Sequence, residues 1–551
     1  MNTLLPIKQM TKAMAVAAGV LLLHACADDF DKLAEVRWNP DVAVPLVNSS
    51  LTAADIITKG DKDGKIEVDG QKFCTLIYTD EMSVTNAEDA YPIQGQVFGP
   101  FDGFMNPVAV AAFSVAPTGG TASFQDNQNF NFSAGTVQID TIEFKGGSIT
   151  FSIKSTIQHD ATVSFSFTGA RKGSAPLTLT ATLNAANNYE NNNLSVNLED
   201  YVFDMTNGGG QTNRVPVQIT TTLTKGAGPL PTTSDKVTYS VSFNAPKFRR
   251  VHGDVGTSTN STNTDTVRFA LFKNSLYTGS IQHAAPRAIF VFKNSYGVTV
   301  RTNVNQMRSY IPAGPNAGTI NVTGSEVSTP TTINGAVNLG DIINTSKIFD
   351  NGNSNIRTII NSNPEYLIYK LDFTTNPNGT PASRNFMLDT SRMDISARIE
   401  LPLYGTANNF ALEKEFDFEF QDTSNLDVEQ VTIRTFINNG FPLDVNTQIY
   451  FLDQFKNRID SLISPLQTKV ARAASIDGNG KVIAPTSSTT DNSLNQIRWK
   501  RITTLCRFLA VSARLESAPT GVDVRIYSDY TLDVKLAMRA KLNVDLKEDS
   551  E

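Results

Sequence analysis

Histidine, tryptophan and cysteine are almost missing from this chain: four, two and three among 551 residues. That scarcity leaves little from which to build a zinc or iron centre. Past the first 25 residues the histidines are His159, His252 and His283, and none has a Cys, Asp or Glu at metal-ligand spacing. Also absent are a G-x-S-x-G elbow, a phosphate loop, a dinucleotide fingerprint and an H-E-x-x-H helix. Paired carboxylates stay open, because they need only meet in space. No acidic residue stands in a recognisable catalytic setting, however, so neither an enzyme nor a cofactor is expected. Charged residues make up only 18% of the chain and the net charge is −7, with no basic block. This excludes electrostatically driven nucleic-acid binding. Beyond the start of the chain no apolar run approaches the roughly 20 residues that span a bilayer.

The start itself is different. Lys8 and Lys12 form a positive segment, and Ala13 to Leu23 is an uncharged, largely apolar run. The run is too short to span a membrane but fits the core of a secretory leader. Cys26 follows where a small-residue cleavage site is expected, and behind it come Ala27-Asp28-Asp29-Phe30-Asp31-Lys32. Leu23-His24-Ala25-Cys26 resembles the lipobox of bacterial lipoproteins, although His24 departs from the small residue usual there. The resemblance implies that Cys26 carries diacylglycerol and becomes the first residue of the mature chain. The acidic stretch resembles the export signal of Bacteroidota lipoproteins, which implies that Asp28 and Asp29 direct the protein to the extracellular side of the outer membrane. Loss of the leader with its two lysines would take the net charge from −7 to −9.

What remains has the composition of a β protein. Thr, Ser, Asn, Val and Phe recur, and long Ala/Leu/Glu runs are absent. Ile149–Ile153, Val163–Phe167, Leu177–Ala181 and Val215–Leu223 each alternate apolar and hydroxyl side chains. That alternation predicts antiparallel strands with one wet face. Ala288–Phe292 is apolar throughout, as a strand buried on both faces would be. Near-helical spacing of Leu339, Ile342, Ile343, Ile348, Ile356, Ile359 and Ile360 predicts one or two short helices within 335–365. Residues 495–515 permit a helix first and a strand afterwards. Lys62-Asp63-Gly64-Lys65 reads as a hairpin turn rather than a calcium loop. Cys74 and Cys506, far apart in sequence, are expected as unpaired buried thiols.

The fold class expected is therefore all-β: tandem antiparallel β-sandwich domains with a few short helices. Residues 1–25 are the leader, 26–35 an acidic tether, 36–252 an N-terminal sandwich region and 266–551 a C-terminal one. Between these, 253–265 is a Ser/Thr/Asn/Gly stretch without apolar period, read as linker or loop. The chief rival is one continuous sheet through both halves, as in tubular lipid-binding proteins.

Trp38, Asn39, Pro40, Ala43, Pro45 and Leu46 form a W-x-P-x-x-A-x-P-L stretch that resembles the opening of uncharacterised Bacteroidota surface lipoproteins. The resemblance covers about the first sixty residues and implies no activity. Surface lipoproteins of starch-utilisation systems bind sugars on aromatic platforms. Here Trp38, in a proline-fixed segment, is expected to dock on its own domain, and Trp499 either to cap a core edge or to be exposed. The D-S/T-aliphatic pattern that Bacteroidota glycosylate occurs at Asp140-Thr141-Ile142, Asp265-Thr266-Val267 and Asp460-Ser461-Leu462. Thr266, beside the polar boundary, is the site expected to be exposed. The function expected is a structural or protein-interaction role at the cell surface, as an accessory subunit of an outer-membrane assembly. A protein partner is implied, the outer membrane is reached through the lipid anchor, and the alternative is glycan binding.

Overall fold

The computed structural model describes residues 37–38, 41–52, 65–82, 85–268, 278–312, 317–381, 383–417, 428–463, 470–542 and 544–545. The fold is all-β, with antiparallel pairing throughout the sheets. Five short helices interrupt the described strands: α1 (Ala87–Ala90), α2 (Pro107–Val115), α3 (Ser325–Ser328), α4 (Ile356–Asn361) and α5 (Gln496–Leu505). Three sandwiches follow one another.

The first is built from residues 96–254. Its front sheet orders Thr121–Asn131, Arg214–Thr224, Asp160–Lys172 and Ala175–Leu183. Its back sheet pairs Gln96–Phe104 and Gln138–Ser155 on either side of Lys236–Asp254. Phenylalanines from both sheets fill the space between: Phe151 and Phe165 lie 4.7 Å apart, Phe132 and Phe243 4.8 Å. Such ring pairs add to the burial of large apolar area. Helix α2 closes one end by burying Ala109 and Phe113, with Asn106 accepting at its N-terminus from the Ala109 N–H.

Two strands of the back sheet are unusually long, at 18 and 19 residues. They bend together where Gly147 faces Ala245-Pro246, and their register shifts between Asn244 and Lys247. Gly147 has φ +105°, and a Cβ there would sit 2.7 Å from Pro246 Cα. Only glycine allows so close a crossing. Past the bend, Arg250–Gly253 pair with Asn385–Leu388 of the second sandwich.

That second sandwich stacks two sheets. One orders Ile343–Phe349, Arg287–Asn294, Arg392–Pro402, Cys74–Glu81 and Lys65–Val68. The other centres on Tyr366–Thr375 and Val300–Ile311. Phe290 meets Tyr369 across the layers at 4.9 Å. The first two sandwiches share one apolar cluster, and a partly buried polar clamp ties them. Arg384 donates to both carboxylate oxygens of Asp140, at 2.6 and 2.8 Å, and Asn376 donates to Asp254 and Asn385.

The third sandwich has its own core, including Val431, Phe451, Leu494, Trp499 and Ile502. One sheet orders Asp41–Thr52, Thr531–Leu542, Val428–Asn439 and Thr486–Asn495; the other contains Thr278–His283, Tyr404–Asp417, Phe508–Ser517, Leu443–Leu452 and Arg458–Ser461. Phe73, Phe441, Tyr527 and Tyr530 cluster at its junction with the second sandwich.

The expected division at 253–265 runs through this pairing. Asp41–Thr52 pairs near the C-terminus with Thr531–Leu542, and Cys74–Glu81 with Arg392–Pro402, both beyond 253–265. Within 253–265, Gly253 and Asp254 end a strand, and Thr259–Ser261 is a strand paired with Tyr366–Thr375. Of the helices expected within 335–365, Ile356–Asn361 forms as α4. Ile343–Phe349 is a strand instead, paired with Arg287–Asn294, and its alternation is hidden because Lys347 rather than an apolar residue occupies an inward position. Its ammonium is buried and donates to Glu326 Oε1, the Thr329 carbonyl and Thr331 Oγ1 at 2.7–3.1 Å. Residues 495–515 divide as the pattern permits, into helix α5 and the strand Phe508–Ser517. The turn expected at 62–64 lies outside the described residues. A turn does join Lys65–Val68 to Cys74–Glu81, where the Asp69 carboxylate accepts from the Gln71 and Phe73 N–H groups.

Candidate functional site

Cys26, Asp28 and Asp29 lie outside the described residues. Thr266 is exposed on the short strand Asp265–Arg268, and its N–H donates to Asp265 Oδ1 at 2.8 Å. Thr141 and Ser461, the other two positions of that pattern, are half-buried. Trp499 is buried against Ile502 in the third core, so it offers no platform for a sugar. Only the backbone of Trp38 is described, in a two-residue pairing of Arg37–Trp38 with Val544–Asp545.

Each of the three described histidines is held by the fold. His159 is buried beneath α2, with the Gly226 N–H on Nδ1 at 3.1 Å and the Pro229 carbonyl at Nε2, 3.0 Å away. His252 lies beside Phe386. His283 is buried between the second and third sandwiches, and its Nε2 has no hydrogen-bond partner. Cys74 and Cys506 are both free and buried. Burial, aided by Asp529 and Asp69, pushes the Cys74 thiol up to about 11, far from a reactive thiolate.

His283 makes acid stability testable. Burial holds its pKa down to about 4, against 6.5 when unfolded, with the Pro402 carbonyl opposing only in part. Between those values the unfolded chain binds the extra proton, so stability present above pH 6.5 is lost as pH falls towards 4. The site contributes about 3 kcal/mol over that window. Comparing urea unfolding of the wild type and His283→Leu at pH 7 and pH 4.5 checks this: the variant should show a shallower acid loss. Parallel losses in the two proteins would contradict it.

One surface differs from ordinary protein exterior. On the front sheet of the first sandwich, alternation turns Phe124, Ile219, Phe165 and Leu179 inward and hydroxyls and carboxamides outward. The register aligns these outward residues in rows across four strands. Ser123, Thr222, Thr162 and Thr182 form one row; Gln125, Thr220, Ser164 and Thr180 the next; Asn127, Gln218, Ser166 and Thr178 the third. Strand geometry spaces the rows by about 6.8 Å and neighbours within a row by about 4.8 Å. The hydroxyls partly bond one another, as Ser123 Oγ and Thr222 Oγ1 do at 2.9 Å. None of the twelve is charged. A surface with about 30% charged residues would place about four charges on such an area. Every one of these side chains can both donate and accept. These twelve positions can therefore hold a neutral, hydroxyl-rich partner; the exposed carboxylate of Asp160, opposite Thr224, stands one row beyond them. Alternation in single strands was legible in the sequence; the alignment of four strands drawn from residues 121–224 was not.

No family model matches the chain, and no curated protein matches it. Among solved structures, a Parabacteroides distasonis protein provisionally described as secreted aligns at 10% identity, covering 91% of this chain and 99% of its own, with a TM-score of 0.27. The VP2 protein of infectious bursal disease virus aligns at 10% identity over 74% of this chain and 77% of its own, TM-score 0.14. PNGF-II aligns at 8% identity over 71% and 99%, TM-score 0.12. At these scores none of the three bears on the function.

Proposed function

We propose that the protein is a lipid-anchored lipoprotein of the outer membrane, exposed at the cell surface, that makes a non-catalytic contact through the front face of its first sandwich. The anchor is Cys26, and Asp28 and Asp29 carry the export signal. The partner this face fits best is a neutral polysaccharide. What supports the reading is the uncharged array of twelve hydroxyl and carboxamide side chains, which complements a chain of neutral hydroxyls. A protein partner comes second for this face, since protein interfaces favour Tyr, Trp, Met and Arg at their centres and the array contains none of them.

Affinity electrophoresis of the chain from residue 27 onward, in gels containing starch, mannan, xylan or β-glucan, tests the choice. Retardation by at least one gel is expected. Free migration in all four, together with recovery of a stoichiometric protein partner from gently solubilised membranes, would restore the protein-interaction role to first place.

A further inference from the structure

The third sandwich has two ends of different character. At one end Phe73, Tyr527 and Tyr530 pack together, and the Cys74 N–H donates to the Ile526 carbonyl, joining it to the second sandwich. The opposite end gathers the chain's first and last described residues. Asp41 pairs with Lys541, Val428 with Leu542, Gln430 with Asn495, and Arg37–Trp38 with Val544–Asp545. Asn495 caps the N-terminus of α5 at this end, accepting from the Arg498 N–H. From the other sheet, Phe508 pairs here with both Asp417 and Leu452.

Arg37 lies eleven positions after Cys26. Even fully extended, eleven residues reach no more than about 40 Å. The strand Asp41–Thr52 then runs 12 residues away from this end, which is about 40 Å at strand rise. A lipid on Cys26 therefore holds the α5 end nearest the bilayer and the junction with the second sandwich far from it.

The surface of the α5 end suits that position. Ile497 is 78% exposed, Phe455 74% and Leu505 46%. Phe455 is presented by a tight turn in which Asp453 Oδ1 accepts from the Phe455 and Asn457 N–H groups. That turn abuts the end of α5, where the Arg507 N–H donates to the Leu452 carbonyl at 2.9 Å. Outward residues of α5, including Ile497, Lys500, Arg501 and Leu505, line an open groove of about 470 Å³. Segments 452–460 and 496–508 carry six cations (Lys456, Arg458, Arg498, Lys500, Arg501 and Arg507) against Asp453 and Asp460; the strand end beside them adds Asp417 and Glu415, the latter paired with Lys456 at 2.6 Å, which leaves this end at +2 in a chain whose net charge is −7. Apolar side chains ringed by cations are the surface chemistry of interfacial membrane binding.

We propose that the α5 end of the third sandwich is a membrane-contacting foot. Phe455, Ile497 and Leu505 enter the headgroup layer of an anionic phospholipid bilayer, and Lys500 and Arg507 meet lipid phosphates. The inference rests on the lipidation of Cys26 only for its cellular setting. The tether raises the local concentration of the foot at the surface, so a contact too weak to bind by itself suffices to orient the protein. The first sandwich, which meets the third through the second, then carries its neutral face away from the tether.

The test supplies its own tether. The chain from residue 27 onward, with a hexahistidine segment ahead of it, is placed on phosphatidylethanolamine–phosphatidylglycerol (3:1) vesicles containing a nickel-chelating lipid. Phe455→Cys, Ile497→Cys and, as control, Thr180→Cys are each labelled with a polarity-sensitive fluorophore. A blue shift with at least a twofold rise in emission is expected at positions 455 and 497 and none at 180. The response should weaken on phosphatidylcholine vesicles and in a Lys500→Glu background. Unchanged emission at 455 and 497 while the protein is vesicle-bound would overturn the foot, as would an equal response at 180. Since the chelating lipid replaces the acyl anchor, either failure leaves the lipidation of Cys26 untouched; Cys26→Ser fractionation in cells tests that separately.

Discussion

Cutting the chain once between Asn263 and Thr264 should leave it in one piece. The cut falls in an exposed segment, so a protease site inserted there should be cleaved while the protein stays folded. The N-terminal fragment would retain six strands whose partners lie in the other fragment, three of them with long pairings. Eleven positions of Asp41–Thr52 pair with Thr531–Leu542, seven of Cys74–Glu81 with Arg392–Pro402, and four of Lys236–Asp254 with Asn385–Leu388. The clamp of Arg384 on Asp140, and of Asn376 on Asp254, also spans the cut. An antiparallel ladder makes about one hydrogen bond per position, each contributing about 1 kcal/mol net. Even half of that total exceeds the roughly 8 kcal/mol that separates partners at micromolar concentration. The nicked protein should elute from a sizing column at the volume of the intact one and divide only in denaturant. Elution of two folded halves in native buffer would show that the strands from both sides of 253–265 do not share sheets.

The second large effect concerns the anchor. Replacing Cys26 with Ser should move the protein from the membrane fraction to the soluble fraction. Each buried methylene contributes about 0.8 kcal/mol, so several acyl chains hold a protein almost permanently, whereas a weakly binding foot cannot. Replacing Asp28 and Asp29 together with Ala should leave membrane association intact and abolish digestion by protease added to whole cells. If Cys26→Ser stays with the membrane after a carbonate wash, the lipid anchor is wrong.

The fold class was legible because the period is local. Leu177–Ala181 alternates within five residues, and nothing distant is needed to read a strand with one wet face. The grouping of strands was not legible, for an equally physical reason. Cys74–Glu81 pairs with a strand more than 300 residues away, and no short pattern encodes which distant edge a strand will meet. Lys347 shows the limit from another side: a cation satisfied by three oxygens sits where the pattern calls for an apolar residue, and so a strand mimicked a helix. Gly147 and Pro246 bend two long strands to serve two sandwiches rather than ending them. The neutral face shares this character. Each row is assembled from strands of four separate segments, and its lack of charge becomes a property only once the register is known.

The role of that face is tested most directly by placing charge within it. Thr180 and Thr162 are both exposed within it, so Thr162→Glu and Thr180→Glu should leave the thermal unfolding midpoint within a few degrees of the wild type. Titrating the wild type and the double variant with whichever neutral polysaccharide retards the wild type decides the matter. A loss of affinity of tenfold or more in the double variant, with unchanged unfolding, is the expected result. Equal affinity in the two proteins would contradict the assignment and move the contact off this face.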